Sequence, residues 1–277
     1  LRGISSNIQS LQYVITKEEM REKALAEKPQ QITRELPIAD TYINKDDNLN
    51  PRYTFDSFIV GPFNEFAHAA SQAVIKKPGI VYNPLFIYGG TGHGKTHLIQ
   101  AIGNYLKNTG GRRVFYTTSE KFSQELINAI QLNKPNLCKE KYRKYDVIIM
   151  DDIQFISGKD KTQEELFHLF NTLYESNKQI IFSSDKHPNF IQGLEDRLQS
   201  RFASGMTVQI IEPDYESRIA IIKAKFEPTS IILEPDVISY LATSLEGNIR
   251  ELEGSLNTII CQSQLKNKAL SLTEVKT

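Results

Sequence analysis

The chain has 277 residues of ordinary soluble composition, enough for one large apolar core or a domain with a satellite. Its 33 Lys and Arg balance 33 Asp and Glu, which excludes tight phosphate binding through overall charge, so any nucleic-acid contact is expected to be local or repeated over several copies. Cys138 and Cys261 have no metal-ligand spacing, no apolar run nears the roughly 20 residues of a spanning helix, and no secretory leader is visible, so the expectation is a cytoplasmic protein with free thiols and no membrane span.

Residues 1–50 carry scattered charges, Pro29, Pro37 and the polar run INKDDNLNP, and read as a flexible linker or N-terminal arm. From residue 51 to 211 the pattern changes. LFIY (85–88), VFYTT (114–118), VIIM (147–150), IIFSS (180–184) and TVQI (207–210) are short β-rich apolar runs separated by helical patterns. That alternation predicts an α/β domain, a three-layer α/β/α fold around a mostly parallel sheet. Over 212–277 the strands stop, and three amphipathic helical patterns punctuated by Pro228, Pro235 and Gly247 predict a small α-helical lid domain. Both ends read as cut: the chain opens on Leu1 and closes on SLTEVKT, inside a new helical pattern.

Gly89 to Thr96 fits G-x-x-x-x-G-K-[ST] between a buried strand and a helix, the P-loop context. Gly90, Thr91, Gly92, His93 and Gly94 supply backbone N–H groups for a nucleotide's phosphates, and the helix adds its positive N-terminal end. Lys95 is expected to bridge the β- and γ-phosphates of ATP, Thr96 to place its hydroxyl on Mg²⁺, and His97 to follow at the helix start. His93 is read as a side chain facing away from phosphate. VIIMDD ends in two acids: Asp151 suits Mg²⁺, and Asp152 suits the attacking water. Alone, such a pair is more often a cap or a solvated turn. An Asp where many P-loop ATPases carry a longer Glu predicts slow hydrolysis, a switch more than a motor.

The stretches YTFDSFIVGPFNEFAHAA, NPLFIYGGTGHGKTHLIQAIGNYL, IIMDDIQFISGKDKTQEELFHLFNTLYESNKQIIFSSD, EDRLQSRFASGMTVQI and NIRELEGSLN resemble the AAA+ module of the DnaA family of bacterial chromosomal replication initiators, over some four-fifths of the chain. The resemblance implies an adenine pocket lined by Val60, Gly61 and Asn64, and a sensor at Asp185 that reads the γ-phosphate. It also implies an arginine finger at Arg201 that enters a neighbouring subunit's site, Arg197, four residues earlier, as a second inter-subunit residue, and a second sensor at Arg250. Each also has a plain alternative: a loop before a helix, a turn residue, an Arg paired with Glu195 or Asp196, and an Arg–Glu253 helix pair.

The basic turn GKDKTQEEL is read as opening a helix through a capping box of Thr162 and Glu165. By resemblance, Lys159, Lys161 and Thr162 match single-stranded-DNA contacts, as does Ser123 on the helix expected over 119–130, where the family often has an apolar residue; a solvated turn is the alternative. The function implied is an ATP-dependent, helical homo-oligomer that binds and helps open origin DNA, with ATP hydrolysis as off-switch and ATP/ADP and Mg²⁺ as cofactors. Duplex origin boxes would be read through a C-terminal domain that this sequence does not reach, and replication regulators or a helicase are further partners. An ATPase motor and a non-enzymatic ADP-binding adaptor are the competing readings.

Overall fold

The five apolar runs become parallel strands because each sends alternate large side chains to two buried faces. The computed structural model of the chain describes residue 44 and residues 46–132, 135–229, 231–244 and 249–276. In it β1 (Leu85–Tyr88), β2 (Val114–Thr118), β3 (Val147–Asp151), β4 (Gln179–Ser184) and β5 (Met206–Gln209) pair in the order β2-β3-β4-β1-β5, all parallel. The register aligns Tyr116, Ile149, Ile181, Leu85 and Met206 in one row across the sheet. The next row, Met150, Phe182 and Phe86, points to the other face.

The first face is covered by α1 (Glu65–Lys76), through Ala67, Ala70 and Val74, and by α2 (Lys95–Gly110), through Leu98, Ile99, Ile102 and Leu106. The second is covered by α3 (Ser119–Gln131), α4 (Pro135–Arg143), α5 (Asp160–Glu175) and α6 (Asp196–Ala203), with Phe122, Tyr142, Phe170 and Phe202 among the buried anchors. This is the expected three-layer α/β/α arrangement.

The helices of the expected lid region follow: α7 (Tyr215–Phe226), α8 (Pro235–Ser244), α9 (Ile249–Lys266) and the short α10 (Leu272–Lys276). Ile222, Phe226, Leu241, Leu252 and Leu256 belong to the same apolar cluster as Leu85 and Ile99. The expected boundary at 211/212 is therefore a change of architecture and not a break in the core.

Two expectations need correction. The first concerns the arm. Residues 1–43 lie outside the described residues, but the last few residues of the 1–50 segment pack against the sheet domain. Leu49 is buried, the Asp47 carbonyl accepts from Tyr116 N–H (2.8 Å), and Asn50 N–H donates to Gln100 Oε1 (2.8 Å). A polar segment is held here by backbone pairing along the outer edge of β2, which composition does not reveal. The second concerns α5, which starts at Asp160 with no side-chain cap. Thr162 is buried inside the first turn, and Glu165 pairs with Lys139 instead. The expected capping box does not form; the Asp160 charge serves that helix end.

Candidate nucleotide-binding site

The phosphate loop turns between β1 and α2. Gly94 begins the helix at φ +91°, a left-handed conformation that favours glycine. Lys95 follows, and its side chain folds back over the loop, where Nζ donates to the carbonyls of Gly89 and Gly90 (2.8 Å each). It is 7% exposed. Burial pushes the Lys95 pKa down, opposed by the charges of Asp152 and Asp151. An enclosed ammonium thus rests on two neutral carbonyls, with no carboxylate among the described residues bonded to it.

Asp151, at the end of β3, is buried, and its carboxylate is fully engaged. Oδ2 accepts from Thr96 Oγ1 (2.7 Å) and Tyr116 Oη (2.8 Å), and Oδ1 accepts from Asp152 N–H (3.1 Å) and Ser183 Oγ. Burial first, then the Asp151 charge, hold the Tyr116 hydroxyl protonated well above the usual phenol range, so it stays a donor. Thr96 and Asp151 together form an oxygen donor pair that fits Mg²⁺. Among the described residues no group of three or more His, Cys, Asp or Glu side chains could hold a metal alone, so such an ion would share its coordination with phosphate and water.

Asp152 has φ +55° and ψ 51°, a conformation uncommon for a residue with a Cβ. Three hydrogen bonds fix it: its N–H donates to Asp151 Oδ1 and Ser183 Oγ (3.0 Å), and its carbonyl accepts from Ser119 Oγ (2.6 Å). Its carboxylate lines the cleft and accepts from Gln154 Nε2 (3.1 Å). Burial, reinforced by the neighbouring Asp151 charge, pushes the Asp152 pKa up. Asp185, at the end of β4, donates its backbone N–H to Gln154 Oε1 (3.3 Å).

A cleft of ≈ 280 Å³ gathers Thr91, Gly92, Gly94, Lys95, Thr96, His97, Asp152, Asp185 and Arg250, with Gln154 and Glu253 beside them. Arg250 reaches it from α9, and its charge acts on both Lys95 and Asp152. His97 sits against Tyr53 and donates to the Thr54 carbonyl (3.0 Å); burial pushes its pKa down. Gly90 and His93 lie on the other side of the loop, with the His93 ring at the Ile210 carbonyl (3.3 Å).

Val60, Gly61 and Asn64 form a loop that packs on the lid. Asn64 accepts from Gly61 N–H and donates to the Ile59 carbonyl (2.9 Å each), so its amide holds the loop. A Cβ at Gly61 would lie 2.6 Å from Ser217 Oγ on α7. Val60 is exposed.

Arg197 and Arg201 share one face of α6, and their guanidiniums sit over the Phe167 ring at 4.9 and 5.8 Å. Arg197 also pairs with Glu195, whereas among the described residues Arg201 has no ion-pair partner. Neither lines the cleft of its own chain. Lys159 and Lys161 are exposed at the start of α5. Thr162 and Ser123 are buried, and Ser123 Oγ donates to the Ser119 carbonyl (2.8 Å), so neither hydroxyl is offered to solvent. The lysine turn is braced by buried Gln163, whose Nε2 donates to the Gly193 carbonyl (2.8 Å) and whose Oε1 accepts from Glu195 N–H (2.8 Å).

Sequence reading missed Tyr116, Gln154, Gln163 and Ser183. Ser183 carried a signal, as a hydroxyl inside a fully buried strand needs a partner. Tyr116 sits in no motif, and Gln154 and Gln163 lie within quoted stretches whose pattern gives them no role of their own.

A parallel α/β sheet with a phosphate loop after β1, an acid pair after β3 and a polar residue after β4 defines a P-loop ATPase domain of the AAA+ class. Residues 49–209 match the bacterial DnaA ATPase domain, and the chain belongs to that family. It is 54% identical over 227 residues to the chromosomal replication initiator protein DnaA of Lachnoclostridium phytofermentans, covering 81% of this chain and 50% of that one. It thus spans about half the length of that relative. Domain III of the Thermotoga maritima replication initiation protein DnaA superposes with a TM-score of 0.78 at 43% identity, covering 82% of this chain and 95% of that one. A replication initiator DnaA bound to AMPPCP and single-stranded DNA superposes at 0.73 and 42% identity, covering 80% of this chain and 70% of that one.

Proposed function

We propose that this chain is an ATP-gated assembly module of a replication initiator, which binds single-stranded DNA as an oligomer and hydrolyses ATP slowly to switch off. The observation that carries the reading is the 2.7 Å hydrogen bond from Thr96 to Asp151, which joins the phosphate loop to the acid strand beside a cleft faced by Arg250. When ATP enters, Lys95 leaves the carbonyls of Gly89 and Gly90 for phosphate oxygens. Magnesium held by Thr96 and Asp151 would neutralise phosphate charge. Asp152 orients the attacking water, Asp185 faces the γ-phosphate, and Arg250 closes from the lid.

Arg201 has no ion-pair partner among the described residues and stands outside its own cleft, which suits insertion into a neighbouring copy's site. A guanidinium there adds paired contacts to phosphate, so the bound γ-phosphate selects the assembling state. Lys159 and Lys161, one pair per copy, then repeat along the assembly and track a phosphate backbone that neither lysine pair would hold alone. Light scattering with an ATP analogue against ADP tests this reading: assembly only with the analogue supports it, and equal assembly in both contradicts it.

A further inference from the structure

No role is read for Gln154 from the sequence, although it lies in the stretch IIMDDIQFISGKDKTQEEL. In the structure Gln154 lines the cleft. It lies in the 3₁₀ turn Ile153–Ile156 that follows β3. Both ends of its amide are used. Nε2 donates to the Asp152 carboxylate at 3.1 Å, and Oε1 accepts from the Asp185 backbone N–H at 3.3 Å. This orientation is dictated by chemistry: reversed, the amide would set an NH₂ against an N–H and an oxygen against a carboxylate.

The placement matters because β3 and β4 are neighbours whose pairing ends at Met150 and Phe182. Beyond that point Ser183 Oγ still holds the β4 end to Asp151 Oδ1 and to the Asp152 N–H, but no sheet pairing reaches the Asp152 carboxylate or Asp185. Gln154 bridges them with one side chain. Among the described residues it is also the only side chain that donates to the Asp152 carboxylate.

We infer that Gln154 is a positioning residue for hydrolysis: its amide fixes the Asp152 carboxylate relative to the Asp185 strand end, so that the water-orienting acid and the phosphate-facing residue keep one spacing. The inference rests on the proposed reading of Asp152. In the step served, the water oxygen bonds to the γ-phosphorus and the bond to the β-phosphate oxygen breaks. ADP leaves with that electron pair; one proton of the water stays on its oxygen and the other passes to a second oxygen of the released phosphate. Gln154 touches none of these atoms. It acts through Asp152, and a displacement of about 1 Å there costs on the order of 100-fold in rate.

Asparagine is too short for both bonds. Glutamate keeps the length and the acceptor for Asp185 N–H but sets a second carboxylate against Asp152. The two functions of the amide are therefore separable by substitution.

The test measures turnover and ATP dissociation constants for the full chain, Gln154→Ala, Gln154→Glu, Asp152→Asn and the double variant Gln154→Ala/Asp152→Asn. The expected result is a fall in kcat of about tenfold or more in both Gln154 variants, with the ATP dissociation constant changed less than about twofold. The double variant should be no slower than Asp152→Asn alone, a non-additivity that a merely structural role would not produce. Gln154→Glu, close in shape to the native residue, guards against loss of folding, and its thermal midpoint checks that. Turnover in the wild type with unchanged kcat in the Gln154 variants, additive losses in the double variant, or a parallel loss of ATP affinity overturns the inference alone. Absence of turnover in the wild type overturns the hydrolytic reading and this inference with it.

Discussion

The backbone N–H of Ile249, the first residue of the lid helix α9, donates a hydrogen bond to the carbonyl of Gly92 in the phosphate loop (3.1 Å). The lid is thereby fastened to the loop that would hold phosphate, and Arg250 is the next residue. Arg250 is exposed, so replacing it leaves the core untouched. Arg250→Ala is expected to weaken ATP binding by about 10- to 100-fold, the range of one charge-assisted contact, while the thermal midpoint without nucleotide stays the same. A nucleotide titration checks both; unchanged affinity would remove Arg250 from the site.

The loop of Val60, Gly61 and Asn64 is coupled to the same lid by close approach. A methyl at Gly61 would meet Ser217 Oγ at 2.6 Å, tighter than any relaxed contact. Gly61→Ala should destabilise the fold by about 1–3 kcal/mol, as overpacking does. Adding Ser217→Ala, which deletes the clashing oxygen, should restore part of the loss in a denaturation experiment, the Phe63 ring at 3.0 Å accounting for the rest. Failure of the second change to rescue the first would show that the loop is not held by this contact.

For the basic turn, the double variant Lys159→Ala/Lys161→Ala should weaken single-stranded-DNA binding and leave ATP affinity unchanged. Loss of two phosphate contacts should lower the salt slope by about 1.4, at about 0.7 per contact for single strands. Affinity measured across a salt series gives both numbers. If the slope holds, the turn is a solvated face.

A further prediction concerns alkaline pH. Tyr142 is fully buried on α4, and its hydroxyl donates to Glu125 Oε2 (3.1 Å). Burial first, then the Glu125 charge, push its pKa far above the usual phenol range. Above pH of about 10 the unfolded chain releases this proton and the folded chain keeps it. The stability from Tyr142 is thus fully present below about pH 10 and falls by about 1.4 kcal/mol per pH unit above it. Tyr142→Phe should flatten that decline in denaturation midpoints taken from pH 9 to 11.

Much of the fold was legible because the physics there is local. Continuous apolar runs such as VIIM and LFIY mark strands buried on both faces, and the structure places them within a residue of the expected bounds. The phosphate loop was legible because few other sequences satisfy its backbone demands. Asp47 and Thr162 went the other way: the polar composition around Asp47 concealed its backbone bond to Tyr116 of β2, and the Thr162 hydroxyl suggested a cap at a position that is buried. Tyr116 and Gln154 were illegible in a deeper sense. Tyr116 meets Asp151 across the β2–β3 pair, and Gln154 joins Asp152, two residues away, to Asp185 at the end of β4, so only the fold reveals them.

The central claim is that bound ATP, and not ADP, licenses assembly through Arg201. Its most direct measurement is the oligomeric size of the chain, by light scattering, with a non-hydrolysable ATP analogue, with ADP, and with the analogue and Arg201→Ala. The account predicts large assemblies in the first case alone, with Arg197→Ala as a comparison from the same helix face. Equal assembly with ADP, or undiminished assembly of Arg201→Ala, would contradict it.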